Sequence, residues 1–293
     1  MEHLLPLVGQ IIVNGLAASS FYVFIALGIT IVYGLTGIIV FCQGELLMLG
    51  AFIAITVLGI THSFVVALIA AIIGIAVLGL LLERAIFRFT FKEPITGFLI
   101  SLGLIAVFQN VAQAIWSADP RFTAPFFPRI MDVGGVKLPG QAVFTVVIMI
   151  ATFIGLYFLL YRLRMGKALR ASAEDSEAAR IVGVPVSRIV TVVFILGAAL
   201  AGLGGGLLVP MFSIDPWVGH LYLLKAFAIA LIGGLGSIWG TVIVGLLLGI
   251  AESVFGTVYL AEWRDAFSLG ALILVLLFRP HGLFRGVEGG RVR

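Results

Sequence analysis

The chain has 293 residues, of which 61% are hydrophobic and 11% are charged, and its formal net charge is +4. A soluble domain averages about 45–50% apolar and about 25% charged residues, so this composition excludes a soluble protein and indicates a membrane protein. The single cysteine, Cys42, excludes an intrachain disulfide, and no Cys or His cluster has the spacing of a metal site. We therefore expect neither a metal ion nor a cofactor.

Apolar runs long enough to cross a bilayer follow one another along the chain. The hydrocarbon core is about 30 Å thick and needs roughly 20 helical residues, because every backbone polar group must be satisfied within the segment. We place spans near residues 8–33, 46–61, 64–82, 95–117, 140–161, 188–209, 217–233, 238–256 and 265–279. The predicted fold is all-α: one polytopic transmembrane domain over residues 1–293, with eight or nine transmembrane helices.

Two glycine-containing stretches, Gly34-Leu-Thr-Gly37 and Gly233-Gly-Leu-Gly-Ser237, interrupt the apolar pattern. Each is either a tight turn between two spans or a break within one long or re-entrant segment. The hinge candidates are Gly34, Gly37, Gly233, Gly234 and Gly236.

The basic residues predict an orientation. With the N-terminus outside, the cytoplasmic stretches hold thirteen of the 18 Lys and Arg residues, as the positive-inside rule requires. This topology places the C-terminus in the cytoplasm and needs an odd number of spans, which favours nine. The longest outer loop, 117–141, contains Gly134-Gly135 between two short β-like runs and predicts a hairpin, which either packs over the outer mouth or meets another protein.

A charged stretch, KALRASAEDSEAARIVGVP (167–185), lies between the fifth and sixth spans. It predicts one helix that begins near Gly166 and stops at Gly183 and Pro185. Ion pairs are expected along its surface at i,i+4 and i,i+3, between Arg170 and Glu174 and between Glu177 and Arg180. A second surface could approach its face of mostly small side chains, which comprises Leu169, Ala173, Ser176, Ala179 and Val182. A solvated connector is the alternative.

Within that stretch, Glu177-Ala178-Ala179-x-x-x-Gly183 resembles the cytoplasmic coupling loop of ATP-binding-cassette importer permeases. In those proteins a Glu-Ala-Ala-x3-Gly core docks into a cleft of the ATPase subunit. The Ile-x-Leu-Pro that completes the family signature is absent here. Within a coupling loop spanning 162–188, the resemblance implies that the ATPase is contacted by Arg170, Glu174, Asp175, Glu177, Ala178, Ala179 and Gly183.

A longer resemblance covers most of the chain. The stretches at 26–52, 95–110, 224–252 and 278–284 are similar, in order, to the branched-chain amino-acid permease family of these importers. The resemblance implies a multi-pass protein of the inner membrane that works with two ATPase subunits, a second related permease in a homodimer or heterodimer, and an external substrate-binding protein. Membrane lipid is the surrounding partner, and no nucleic acid is implied. One departure, Val40-Phe-Cys42-Gln43-Gly44-Glu45 where the family usually reads Asn-x-Ala-His/Gln-Gly-Glu, leaves open the branch that carries urea and short amides.

The energy source must lie in a partner if the protein pumps. No stretch matches the phosphate-binding pattern G-x-x-x-x-G-K-[ST]. An ion-coupled secondary transporter remains the alternative, with Glu45 as its best-placed acid. We do not expect an intramembrane enzyme, because the sequence offers no convergent set of His, Asp, Glu or Ser.

Polar residues at membrane depth are costly and therefore mark functional candidates. Glu45 follows Gly44 at the start of the second span, where it could cap the helix, act in gating or contact substrate. Gln109 and Asn110 are more typical of interhelical hydrogen bonds than of a pathway. We expect Glu252 to pair structurally, with Lys225 as one candidate partner. The translocation or gating candidates are Gln43, Gly44, Glu45, Gln109 and Asn110.

Overall fold

The computed structural model describes residues 4–91, 93–133, 135–258, 264–279 and 282–284. Within these residues the helices are α1 (Leu4–Thr36), α2 (Gln43–Thr61), α3 (Phe64–Ala85), α4 (Pro94–Trp116), α5 (Gly140–Tyr161), α6 (Arg164–Glu174), α7 (Ser176–Ile181), α8 (Val186–Leu208), α9 (Val218–Gly233), α10 (Ile238–Val258) and α11 (Arg264–Phe278). A 3-10 turn covers Phe87–Phe89, and strands β1 (Ile130–Val133) and β2 (Val136–Pro139) form a hairpin.

Nine apolar helices, α1 to α5 and α8 to α11, coincide with the nine predicted spans, and each end lies within four residues of its prediction. Among the described residues, seven of them are long and apolar enough to cross a bilayer, whereas α9 and α11 are shorter apolar helices. The prediction of an all-α polytopic membrane protein is confirmed.

The first helix, α1, lies at the centre of the bundle. It packs along α10 in the opposite direction, with Gly15 against Ile250 and Ser19 against Gly249, and Gly34 lies against Gly236 in the turn before α10. A Cβ added to Gly15 would lie 2.7 Å from the Cα of Ile250. Small residues therefore let the two backbones approach closely, which favours helix packing by dispersion inside a membrane.

The chain re-enters the bundle after α1. Gly37, at φ +68°, ends the helix, and the chain then runs back until α2 begins beside Gly28, where Gln43 contacts Gly197. Gly28 lies eight positions before the last residue of α1, so α2 begins about 12 Å inside the bundle. The predicted interruption over Gly34–Gly37 is present and lies at the end of that stretch: α1 remains helical at Gly34, and the chain turns at Gly37.

The second glycine stretch is a tight turn between two spans, as the favoured nine-span topology required. Gly233 ends α9, Gly234 and Gly236 adopt positive φ of 87° and 88°, and α10 begins at Ile238. L side chains other than glycine rarely adopt these values, so the turn depends on both residues.

The predicted hairpin is present, with Asp132 opposite Lys137. Gly134 lies outside the described residues. The Lys137 N–H donates to Oε1 of Gln10 at 3.0 Å, which fixes the hairpin to the start of α1. We call this the hairpin end of the bundle, and α6 and α7 lie at the opposite end.

Candidate coupling segment and intramembrane polar sites

The single helix predicted over the charged stretch is two helices, so that prediction is wrong. Asp175 separates α6 from α7 with an extended backbone at φ −150° and ψ 105°. Its carboxylate accepts the backbone N–H groups of Glu177 at 2.9 Å and Ala178 at 3.0 Å. An aspartate side chain competes in this way for backbone donors, and it thereby ends one helix and caps the next.

The small-residue face of this segment is mostly buried within the chain. Leu169, Ala173, Ser176 and Ala179 are buried, while α6 packs on α1, α5 and α8 and α7 packs on α8. The surface that approaches these four residues therefore belongs to the chain itself. The face holds the segment against the membrane-spanning helices.

Arg170 also binds inside the chain. Its guanidinium donates to the backbone oxygen of Leu160 near the end of α5 and lies 4.7 Å from the ring centroid of Tyr161. A cation near the C-terminal carbonyls of a helix is favoured by the helix dipole. Arg170 therefore ties α6 to α5 and does not reach along α6 to Glu174 as the spacing suggested.

The free surface of the segment lies on α7 and the turn after it. Ile181 is 87% exposed and Val182 is 77% exposed, beside the exposed residues Glu177 and Ala178. Gly183 follows at φ +87°, with nothing within 4 Å of a Cβ built there. We call these five residues the coupling tip. Sequence reasoning had included Glu177, Ala178 and Gly183 as candidates and Val182 in the small-residue face. It had not singled out Ile181, although two adjacent apolar residues before the stop were a signal.

Glu45 is fully buried where two helices begin. Its Oε1 accepts from Nε2 of Gln109 at 3.0 Å, and its Oε2 has no hydrogen-bond partner among the described residues. A Cβ on Gly219, at the start of α9, would lie 3.0 Å from Oε2. Two helix N-termini with positive partial charge therefore face this carboxylate, which can hold a negative charge or accept a further donor.

The other gating candidates separate into two groups. Gln43 is buried and donates to the backbone oxygen of Gly197, so it joins α2 to α8 close to Glu45. Asn110 is exposed and donates at 2.7 Å to the backbone oxygen of Ala106 in its own helix. The structure thus brings Gly44, Glu45 and Gln109 together with Gln43 nearby, and it leaves Asn110 outside the group.

A second buried polar group joins α1, α9, α10 and α11. Lys225 Nζ lies 3.1 Å from Oε1 of Glu252, which is the pairing expected from the sequence. Tyr22 donates to Oε2 of Glu252 at 3.0 Å, and the Ser268 hydroxyl donates to Oε1. Sequence reasoning missed Tyr22, which is 230 positions from Glu252. No group of His, Cys, Asp or Glu in the described part of the chain could hold a metal ion.

Within the described residues, nine apolar helices enclose buried polar groups, and an amphipathic segment packs against one end. This arrangement is that of a multi-pass α-helical membrane protein. The chain belongs to the family described as the permease component of the branched-chain amino acid transport system, whose sequence model matches residues 11–276.

Relatives similar over nearly the full length support this assignment. The high-affinity branched-chain amino acid transport system permease protein BraD of Pseudomonas aeruginosa is 35% identical over 97% of both chains. LivH of Salmonella typhimurium, described in the same words, is 33% identical over 95% of this chain and 96% of its own. A probable branched-chain amino acid transport permease protein LivH of Methanocaldococcus jannaschii is 32% identical over 97% of this chain and 94% of its own. No solved structure matches.

Proposed function

We propose that this chain is the transmembrane subunit of an ATP-driven importer for branched-chain or other hydrophobic amino acids. It inserts with the N-terminus outside and the C-terminus in the cytoplasm. Two ATP-binding-cassette ATPases, a second related permease and an external substrate-binding protein complete the transporter. The family assignment and the names of the relatives support the class of substrate.

The coupling tip is the observation that carries the proposal. Its two apolar side chains, Ile181 and Val182, are exposed at the end of the segment formed by α6 and α7, whose other face is buried. Exposed apolar groups beside polar ones are typical of protein-binding sites, and a partner cleft would remove them from water. Because α6 is tied to α1, α5 and α8, a displacement of the tip reaches the spans directly.

The energetics of import also favour a partner bound at the coupling tip. A partner shifts a conformational equilibrium only by its differential affinity for the two states. ATPase subunits that hold the coupling tip differently with and without ATP would supply that difference. Glu45, Gln43, Gly44 and Gln109, deep in the bundle, are then the groups we assign to gating or translocation.

The test is a double substitution, Ile181→Asp with Val182→Asp. In cells that contain the complete transporter, we expect leucine uptake to fall at least about tenfold, since two buried apolar contacts are worth more than about 1.4 kcal/mol. The purified complex should also lose leucine-stimulated ATP hydrolysis.

The exchange Ile181→Val with Val182→Ile is the matched control, because it keeps two exposed apolar side chains at the same positions. It should leave uptake unchanged, and all variants should insert into the membrane equally. Full uptake by the double aspartate variant would remove the coupling role.

One observation favours an ion-coupled secondary transporter as a second candidate. The unpartnered Oε2 of Glu45 is a buried acceptor of the kind that a coupling cation or proton could use. If the purified chain alone accumulates leucine in proteoliposomes under a proton or sodium gradient, the ATP-driven proposal fails. Competition of uptake by urea and short amides, compared with leucine, tests the sister substrate class.

A further inference from the structure

A cavity of about 300 Å³ lies among α1, α5, α9, α10 and the loop that follows α8, at the hairpin end. This volume is at the lower limit of the roughly 300–1,000 Å³ typical of small-molecule sites. The polar part of its wall consists of Asn14, Tyr22, Tyr222, Lys225, Glu252 and Ser253. Among the described residues, the lining of the cavity includes neither Glu45 nor Gly44, Gln109 or Gly219, so the cavity is separate from the surroundings of Glu45.

The charged groups in this wall are held in place. The side chains of Lys225 and Glu252 are 14% and 4% exposed, and Tyr22 bridges them by donating to Glu252 and accepting from Lys225 at 3.1 Å. A buried ion pair is weak evidence for stability, because apolar replacements of similar volume are often neutral or stabilising. What the pair does supply is a fixed dipole, positive at Nζ and negative at the carboxylate, in a wall of low dielectric.

The charge of the wall selects the ligand. Among the described residues, the charged side chains of this wall, Lys225 and Glu252, balance each other, so they offer no net counter-charge to a ligand that carries a net charge of either sign. A zwitterion can lie antiparallel to the wall dipole, with its carboxylate toward Lys225 and its ammonium toward Glu252, without breaking the pair. Interactions of this kind strengthen where water is excluded.

The remaining wall selects the side chain of the ligand. Ala17, Ala18, Ala142, Met211 and Phe212 line the cavity with apolar surface. Methionine adapts its shape to aliphatic groups, and burial of each methylene contributes about 0.8 kcal/mol. The polar wall fits a zwitterion, and the apolar wall fits an alkyl chain. An aliphatic α-amino acid carries both groups.

We propose that this cavity is a subsite for an aliphatic α-amino acid, in which Lys225 and Glu252 bind its carboxylate and ammonium groups. The choice of substrate rests on the proposed function. The subsite is occupied from the hairpin end, before the spans change access.

The first test varies the ligand and leaves the protein intact. Full-length chain in lipid nanodiscs is titrated with L-leucine, with 4-methylpentanoate, which lacks the ammonium, and with 3-methylbutylamine, which lacks the carboxylate. We expect saturable leucine binding and at least about tenfold weaker binding of both analogues, since each analogue loses one of the two attractions and brings a net charge to a wall whose charged pair is balanced. Equal affinity for leucine and either analogue, or no saturable leucine binding up to about 10 mM, would overturn the subsite.

The second test varies the protein. Lys225→Met with Glu252→Gln removes both charges at similar volume, and the exchange Lys225→Glu with Glu252→Lys restores an ion pair with the dipole reversed. Both should weaken leucine binding at least about tenfold. If the pair had only a structural role, the exchange would restore leucine binding to the wild-type affinity. Wild-type affinity of the neutral variant for leucine would also contradict the proposal.

The matched control is Thr30→Val with Thr241→Val, which removes another buried polar contact between α1 and α10, of 2.8 Å. It should leave leucine binding unchanged.

Failure of the subsite is distinguishable from failure of the importer. The complete transporter can be tested in cells with the neutral variant, Lys225→Met with Glu252→Gln. If these cells take up leucine at the wild-type rate, the subsite proposal fails and the proposed function stands. Absence of uptake of leucine and of the other hydrophobic amino acids with the unmodified chain overturns the proposed function.

Discussion

Glu45 offers a residue-scale prediction about charge. Glu45→Gln keeps the shape and an acceptor for Gln109 but removes the negative charge from the two helix N-termini. We expect leucine uptake by the assembled transporter to fall at least about tenfold, because the dipoles of α2 and α9 then face a neutral group. Asn110→Leu, one position after Gln109 and exposed, is the control and should transport normally. Unchanged uptake with Glu45→Gln would restrict Glu45 to helix capping.

The contact between α2 and α9 offers a residue-scale prediction about packing. A Cβ on Gly44 would meet the backbone of Gly219 and lie 2.7 Å from Cβ of Leu223. Overpacking of this kind costs about 1–3 kcal/mol, so Gly44→Ala should lower the melting temperature of the purified protein. Gly103→Ala, in the middle of α4 with nothing within 4 Å of its Cβ, should not lower it. Equal melting temperatures for both variants would show that α2 and α9 can separate freely.

Sequence reasoning found individual buried charges more readily than their surroundings. Glu45 and the pair of Lys225 with Glu252 were evident because charges are rare and costly within apolar spans. The hydrogen bond from Gln109 to Glu45 joins residues 64 positions apart, and only the packing of α2 beside α4 brings them together.

At the scale of the element, Asp175 sets the stability of α7. Loss of an N-cap side chain costs about 1 kcal/mol, a large amount for a helix of six residues. Asp175→Ala should therefore increase amide hydrogen exchange over 176–182 and reduce ATP-dependent uptake. Asp175→Asn, which can still accept from the two N–H groups, is the control. Protection of α7 that survives the alanine substitution would mean that packing on α8 holds it without the cap.

The helical elements were predictable to the extent that their apolar runs were long. Span ends fell close to their predictions because a charge or a glycine marks nearly every one. The division between α6 and α7 was missed because Glu174-Asp175-Ser176-Glu177 reads as a continuous polar helix surface. Only the extended backbone of Asp175 shows that its carboxylate binds the chain ahead of it.

At the scale of the whole molecule, we predict that the hairpin end faces the outside of the cell and that α6 and α7 face the cytoplasm. Cysteine introduced at Ile130, at the hairpin end, should react with a membrane-impermeant maleimide in intact cells. Cysteine at Ile181, at the opposite end, should react only after permeabilisation, since the basic residues concentrate on that side. Labelling measured by gel shift in the reverse pattern would invert the topology. The native Cys42 is buried and should give little background.

The arrangement of the spans could not be predicted, in contrast to their number. Hydropathy reports how long a segment is, whereas the central place of α1 depends on Gly15, Ser19 and Gly34, small residues that meet the backbone of α10 and of the turn before it. Such complementarity joins residues more than 200 positions apart and leaves no periodic signal in a single sequence.

The central place of α1 has a consequence for biogenesis. The hydroxyl of Thr30 pairs with that of Thr241, 211 positions later, so the helix synthesised first gains this buried contact only when α10 has been made. At about 5–20 residues per second, roughly 10–40 seconds separate the two on the ribosome. During that interval the hydroxyls of Ser19, Ser20 and Thr30 must be sheltered by their own helix, by lipid headgroups or by an insertion chaperone. A nascent chain stalled before α10 should therefore remain crosslinked to the insertion machinery through α1, and release it once α10 emerges.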